Sequence, residues 1–206
     1  ACFDAVQALG LKPEWVDPDI FLPSRIAESR QFKRIVIPPH AEWFSQTMHE
    51  GMNDYVLSGG LLITNASCVL LDANDNYMVD PDDRMTDYPR KHFLGVLGHS
   101  GASIERLKVL HACPLTNGVS LGEWLDFERP PSGRKTKTTG ATVVITSTFV
   151  AREHRGEQPL LTFKHSGRGA CVYLVPPIAA DAGPPFPRLV ENLFSGAVLE
   201  WLCLQE

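Results

Sequence analysis

The sequence has no long apolar run, no closely spaced cysteine pair and no excess of basic residues, and each lack removes a class of function. Its longest apolar stretches, such as Gly59 to Ala66, fall far short of the roughly 20 residues that a helix needs to span a bilayer. Lys and Arg number 19 against 24 Asp and Glu, a formal net charge of -5. Nucleic acid, which demands a basic face, is therefore not an expected partner, nor is a membrane. The five cysteines, Cys2, Cys68, Cys113, Cys171 and Cys203, are scattered without a C-x-x-C pair. They read as reduced, mostly buried thiols rather than as a disulfide framework or a zinc site. Among His40, His49, His92, His99, His111, His154 and His165 no pair has the i, i+4 spacing of a helical metal site, and no metal or cofactor is expected. No basic-then-apolar leader opens the chain, whereas a first residue other than Met points to a processed, trimmed or excised piece. The cellular compartment stays open.

What is present suits one substantial core: 206 residues, 44% hydrophobic and 21% charged, ordinary values for a single globular α/β domain. Phe3, Val6, Leu9 and Leu11 recur at helical spacing and Gly10 supplies a stop. Glu14, Trp15 and Val16 form a short strand candidate closed by Asp17-Pro18. Ile35-Val36-Ile37, stopped by Pro38-Pro39, reads as a central buried strand. Phe44, Met48, Met52, Tyr55 and Val56 then mark a helix that Ser45 caps and Gly59-Gly60 ends, and Leu61 to Thr64 is the next strand. Strand, helix and strand in this order make a βαβ unit whose two strands should be parallel neighbours.

Asp72 to Arg90 is rich in Asp, Asn and Pro and reads as loop; its acidic cluster (Asp72, Asp75, Asp80, Asp82, Asp83) lacks the alternating spacing and glycine turn of a calcium loop. From Ile104 onward strands dominate, at Ile104 to Leu110, Gly122 to Phe127, Thr142 to Val150, Leu160 to Lys164 and Ala170 to Val175. The last two should form a hairpin turning at Ser166 to Gly169, with Gly167 and Gly169 supplying positive φ angles. The basic stretch Arg134 to Thr139 reads as a surface loop, and Leu189 to Leu204 as one closing amphipathic helix.

Several motifs fall in a familiar order: FKRIVIPPH, MNDYVLSGGLLIT, NASCVLLDANDNY, FLGVLG, PLTNGV and HSGRGACVYLVPP. Together they resemble the class I glutamine amidotransferase-like domains, in particular the amidotransferase-like (trimerisation) domain of family 42 β-galactosidases and trehalose-utilisation-type domains. The resemblance runs from about Val6 to Leu202 and treats residues 1–206 as a single domain. It implies a flavodoxin-like parallel sheet flanked by helices, with an added β-hairpin region in the C-terminal half. It also implies a first strand before the helix at Phe3, which the sequence does not contain.

In an active relative a cysteine sits on a tight strand-to-helix turn, served by a histidine and a carboxylate. By position Ser67 falls where that nucleophile belongs and Cys68 one residue later, but Val69 and Leu70 occupy places that a strained elbow reserves for small residues. The late His-x-Glu pair is missing too; the closing region offers only Glu191 and Glu200. Gly98-His99-Ser100-Gly101-Ala102 echoes a hydrolase elbow, yet the sequence after it reads as strand rather than helix. His40 follows Pro38-Pro39 at the carboxyl end of a strand, where open α/β sheets bind ligands. The expected function is a non-catalytic module for assembly or interaction in a carbohydrate-active system, partnered by copies of itself or by a neighbouring catalytic domain. The alternatives are a small hydrolase using Ser100 (with His99) or Ser67, and a small-molecule-binding module around His40, Ser67 and Cys68.

Overall fold

A computed structural model of the chain describes residues 2–37, 43–64, 69–71, 96–138, 140–150 and 156–203. The N-terminal third holds helices α1 (Cys2–Ala8), α2 (Ile26–Ser29) and α3 (Gln46–Leu57), with strands β1 (Arg34–Ile37), β2 (Trp43–Ser45), β3 (Leu61–Thr64) and β4 (Val69–Leu71). Then come β5 (Val96–Val109), β6 (Trp124–Asp126), β7 (Ser132–Thr138), β8 (Thr142–Val150), β9 (Gln158–Ser166) and β10 (Gly169–Leu174), closed by α4 (Phe186–Phe194) and α5 (Gly196–Leu202).

The main sheet has eight strands in the order β1-β3-β10-β9-β8-β5-β6, with β7 pairing β5 off this path. It is mixed. The trio β1, β3 and β10 is parallel, whereas every pairing from β10 to β6 is antiparallel. The molecule is thus α/β with helices and a mixed sheet, not a wholly parallel one. The physical reason lies in the connections: β9 and β10 are joined by a two-residue turn, which permits only antiparallel pairing.

The βαβ unit is as the sequence suggests: Ile35 pairs Leu62 and Val36 pairs Ile63 in parallel register. Ser45 Oγ accepts the Met48 N–H at 3.3 Å to start α3, and Gly59 at φ +112° ends it. Leu61, Leu62, Ile63 and Thr64 are all fully buried, as a strand covered on both faces requires. Tyr55, buried in α3, donates its hydroxyl proton to Phe32 O at 2.9 Å, tying the helix to the approach to β1.

Several expectations need correction. β1 is not central: among the described residues it pairs only with β3, and Ile35 and Val36 are half-buried. Residues 14–16 form no strand, since they pair with no other strand among the described residues. The basic stretch at 134–139 is largely strand, since β7 pairs β5 through its backbone, which polar side chains do not prevent. The closing helix is two helices, broken at Ser195, whose Oγ accepts the Val198 N–H at 3.2 Å and so starts α5. In the hairpin only Gly167 has a positive φ, +61°; Gly169 is required by space instead, because a Cβ there would meet Gly60 O and Val56 O, each at 2.3 Å.

Candidate functional site

β1 lines a groove of about 350 Å3. From β1 it is lined by Ile35 and Val36, both half-buried, and by the buried Ile37. Its opposite wall is built from α1 and the segment that follows, where Phe3 and Trp15 stack at 5.4 Å with ring planes 3° apart. Trp15 is 76% exposed, so Phe3 is the main support its ring has. The wall is anchored below by Ile20 and Phe21, both buried, Phe21 packing edge-on against Tyr55 at 6.2 Å. Asp17 caps the short 3-10 turn Pro18–Phe21 by accepting the Asp19 N–H at 3.0 Å. Prolines at 13 and 18 bracket this wall and keep an α-helix from running through it.

Arg34 lies at the start of β1 and lines the same groove. One guanidinium nitrogen, Nη2, donates to Ser195 O, while the buried Nε has no hydrogen-bond partner among the described residues. Burial pushes the guanidinium pKa down, and the groups that oppose this are Cys203 and Tyr55. Burial in turn holds the Cys203 thiol and the Tyr55 phenol above their ordinary ranges. Both are neutral near pH 7, so neither balances the Arg34 charge. An apolar slot with one under-satisfied cation at its end suits a partner that is mainly hydrophobic and carries an acceptor there.

The catalytic and ligand candidates stand differently. His40, Ser67 and Cys68 lie outside the described residues, as do the acidic residues from Asp72 to Asp83. Described at their flanks are two parallel pairs: Ile37 with Thr64, and Trp43 with Val69. His99 and Ser100 lie within β5, where the pairing with β7 shifts register between Gly98 and Gly101. The backbone there is a strand carrying an irregularity, not the strand-to-helix turn of a hydrolase elbow. Cys2, Cys113, Cys171 and Cys203 are free thiols. Among the described residues no group of three His, Cys, Asp or Glu is placed to hold a metal ion. Nor is any described helix long and apolar enough to cross a membrane. The groove residues escaped the sequence reading, although Trp15 between two bracketing prolines was a signal.

No protein-family model and no curated protein matches the sequence. Solved structures do match its fold. A β-galactosidase from Rahnella sp. R3 aligns over 97% of this chain and 26% of its own, with a TM-score of 0.63 and 14% identity. A catalytic mutant of Gan42B, a GH42 β-galactosidase from G. stearothermophilus, aligns over 71% of this chain and 19% of its own, with a TM-score of 0.51 and 15% identity. A Salmonella typhimurium LT2 protein, Cytoplasmic Protein STM1381, aligns over 98% of this chain and 86% of its own, with a TM-score of 0.61 and 13% identity. The chain thus spans about a quarter or less of the two glycosidases it resembles, and at such identities the likeness is one of fold.

Proposed function

We propose that this domain is a non-catalytic, amidotransferase-like module that serves assembly or interaction in a glycoside-hydrolase-type, carbohydrate-active system. The observation that carries the reading is the groove beside β1, an apolar slot at a strand that pairs on one side only among the described residues, which suits a protein contact better than a reacting centre. The shared fold with part of two β-galactosidases supports the carbohydrate-active setting. In this reading the parallel trio β1, β3 and β10 is what corresponds to a flavodoxin-like core, and the partner is a further copy or an adjoining catalytic domain.

One second reading has an observation in its favour. The paired strand ends Ile37 with Thr64 and Trp43 with Val69 flank residues 38–42 and 65–68, the two stretches that contain His40, Ser67 and Cys68. A small molecule held by those residues would suit the carboxyl ends of the parallel strands. A hydrolase based on Ser100 is disfavoured, because β5 runs on as strand past that residue.

Two measurements separate the readings. Sedimentation velocity over a hundredfold concentration range, alone and with a GH42 catalytic chain, should show species heavier than the 22.8 kDa chain. Glutaminase and nitrophenyl-galactosidase assays should stay at background. Stoichiometric labelling at Cys68 by a thiol-reactive glutamine analogue, lost on Cys68→Ser, would instead restore an amidotransferase; a strict monomer in both mixtures would sink the assembly role.

A further inference from the structure

Where α4 meets α5, the short 3-10 turn Pro114–Thr116 borders a second cavity of about 430 Å3, a size that small ligands commonly occupy. Asn192 lies on its wall and is only 4% exposed. Its Nδ2 donates to Leu115 O at 3.2 Å and to Asn117 O at 2.8 Å. Only the NH2 end of an amide can serve two carbonyls, so these bonds fix which way the side chain is turned. Oδ1 accepts nothing from the described residues, yet it is not sealed from solvent. A buried acceptor held in one orientation beside a cavity is a group with a bond still to make.

The neighbouring side chains supply the complementary chemistry. Arg188 gives Nε to Asn117 O at 3.1 Å and Nη1 to Glu191 Oε2 at 3.0 Å, while its Nη2 donates to nothing among the described residues. Ser195 Oγ accepts the Val198 N–H at 3.2 Å, which leaves its own proton to donate. Donors (Arg188, Ser195) and acceptors (Asn192, Glu191) therefore line one cavity. Arg188 and Glu191 offset each other in charge, so a phosphate or carboxylate finds no net positive seat. Among the described residues no aromatic or branched aliphatic side chain lines the cavity, so an apolar ligand finds little to pack against.

We infer that the cavity between α4, α5 and the turn Pro114–Thr116 binds a neutral sugar without transforming it. A hydroxyl both donates and accepts, so adjacent hydroxyls of one ring can take a bond from Arg188 Nη2 and give bonds to Asn192 Oδ1 and Glu191. Such hydroxyls replace water bond for bond, which makes the affinity modest and lets hydroxyl position set the selectivity. The inference goes beyond the assembly reading and does not depend on it, because this cavity shares no lining residue with the groove beside β1.

The test titrates the full, isotope-labelled chain with glucose, galactose and mannose, the last two each differing from glucose in the direction of one hydroxyl. Backbone amide resonances of residues 113–117 and 188–197 should move saturably with at least one sugar in the millimolar range, and one sugar should be favoured severalfold. Cys113 lines the cavity as a half-buried free thiol. Its alkylation by N-ethylmaleimide, followed by peptide mass, should slow severalfold at a saturating concentration of that sugar. Ala197→Leu, at an exposed position of α5 that lines the cavity, should fill it and abolish the shifts while leaving the melting temperature unchanged. Arg188→Met, at a half-exposed position, should weaken the sugar on the order of tenfold. No saturable shift with any of the three sugars overturns the proposal, as does parental binding by both variants. Inorganic phosphate moving the same amides at lower concentration overturns it too, since the cavity would then be an anion site. None of these failures alters what sedimentation says of assembly.

Discussion

Replacing Gly169 by alanine should be among the most damaging single-methyl changes this fold allows. Gly169 opens β10 directly after the hairpin turn, where the sheet lies against the end of α3. A Cβ built there would lie 2.3 Å from both Gly60 O and Val56 O and 3.0 Å from Gly59 C. Carbon and oxygen ordinarily approach no closer than about 3.3 Å, so the overlap is roughly 1 Å at two oxygens. None of the three atoms belongs to a side chain that could swing away. Gly60 is held by its N–H on Tyr55 O at 3.1 Å, and its carbonyl receives the Ala170 N–H at 3.3 Å. Relief therefore requires the hairpin to part from the helix end, and the Arg168 N–H bond to Leu57 O at 3.1 Å goes with it. Overpacking in cores costs about 1–3 kcal/mol, and opposed backbone places this case at the top of that range. For a chain of this size each kcal/mol lowers the melting temperature by about 2–4 °C, so a fall of roughly 6–12 °C is expected by scanning calorimetry. Gly196→Ala is the matched control, because nothing lies within 4 Å of a Cβ at that helical position; it should be neutral or slightly stabilising. If Gly169→Ala melts within about 1 °C of the parent, the close approach of hairpin to helix is wrong.

Tyr55→Phe should cost about 1 kcal/mol, because it strips the donor from the part-buried Phe32 O; urea denaturation should show a lower midpoint with an unchanged slope. Stability should also fall at alkaline pH. Burial raises the pKa of Tyr55, Cys203 and Cys2 in the fold, so the folded state holds protons that the unfolded chain has released. The stability these groups provide is complete below their unfolded values, about 8.5 for thiols and 10 for the phenol, and is lost as pH rises beyond them. Melting temperatures should decline from about pH 8.5 to 11, and Tyr55→Phe should flatten the part above pH 10; a flat profile in the parent would contradict the burial of all three groups.

What the sequence reveals of this fold follows where its physics is local. The Ser45 cap, the Gly59-Gly60 stop and the apolar spacing of α3 act within a few residues, so that helix and the strands on either side are legible. The β9–β10 hairpin is legible for the same reason, through its two-residue turn at Gly167-Arg168. β7 is not, because Ser132–Thr138 is polar throughout and owes its strand to backbone pairing with β5, a partner distant in sequence. Ser195 looked like one more helical residue; only its cap on Val198 shows that two helices meet there. The groove was least legible. Phe3, Trp15 and Val36 belong to three separate elements, and nothing in their spacing says that they face one slot.

The two ends of the main sheet argue for different uses. At the far end β6 is three residues long and is flanked by charge from β5: Arg106 and Lys108 lie 5.7 and 5.6 Å from the ring of Trp124. Arg106 also pairs with Asp126 at 2.7 Å. Short strands and charged side chains are the usual means by which a protein keeps an edge from recruiting another strand. β1 is four residues long and carries its one charge, Arg34, at its first position, while Ile35, Val36 and Ile37 present none. Beside it lies the groove lined by α1 and by residues 11–18. An edge of that kind left simply exposed would be an aggregation hazard. In the assembly reading proposed above, the apolar surface beside β1 is where a further copy or an adjoining catalytic domain would be met.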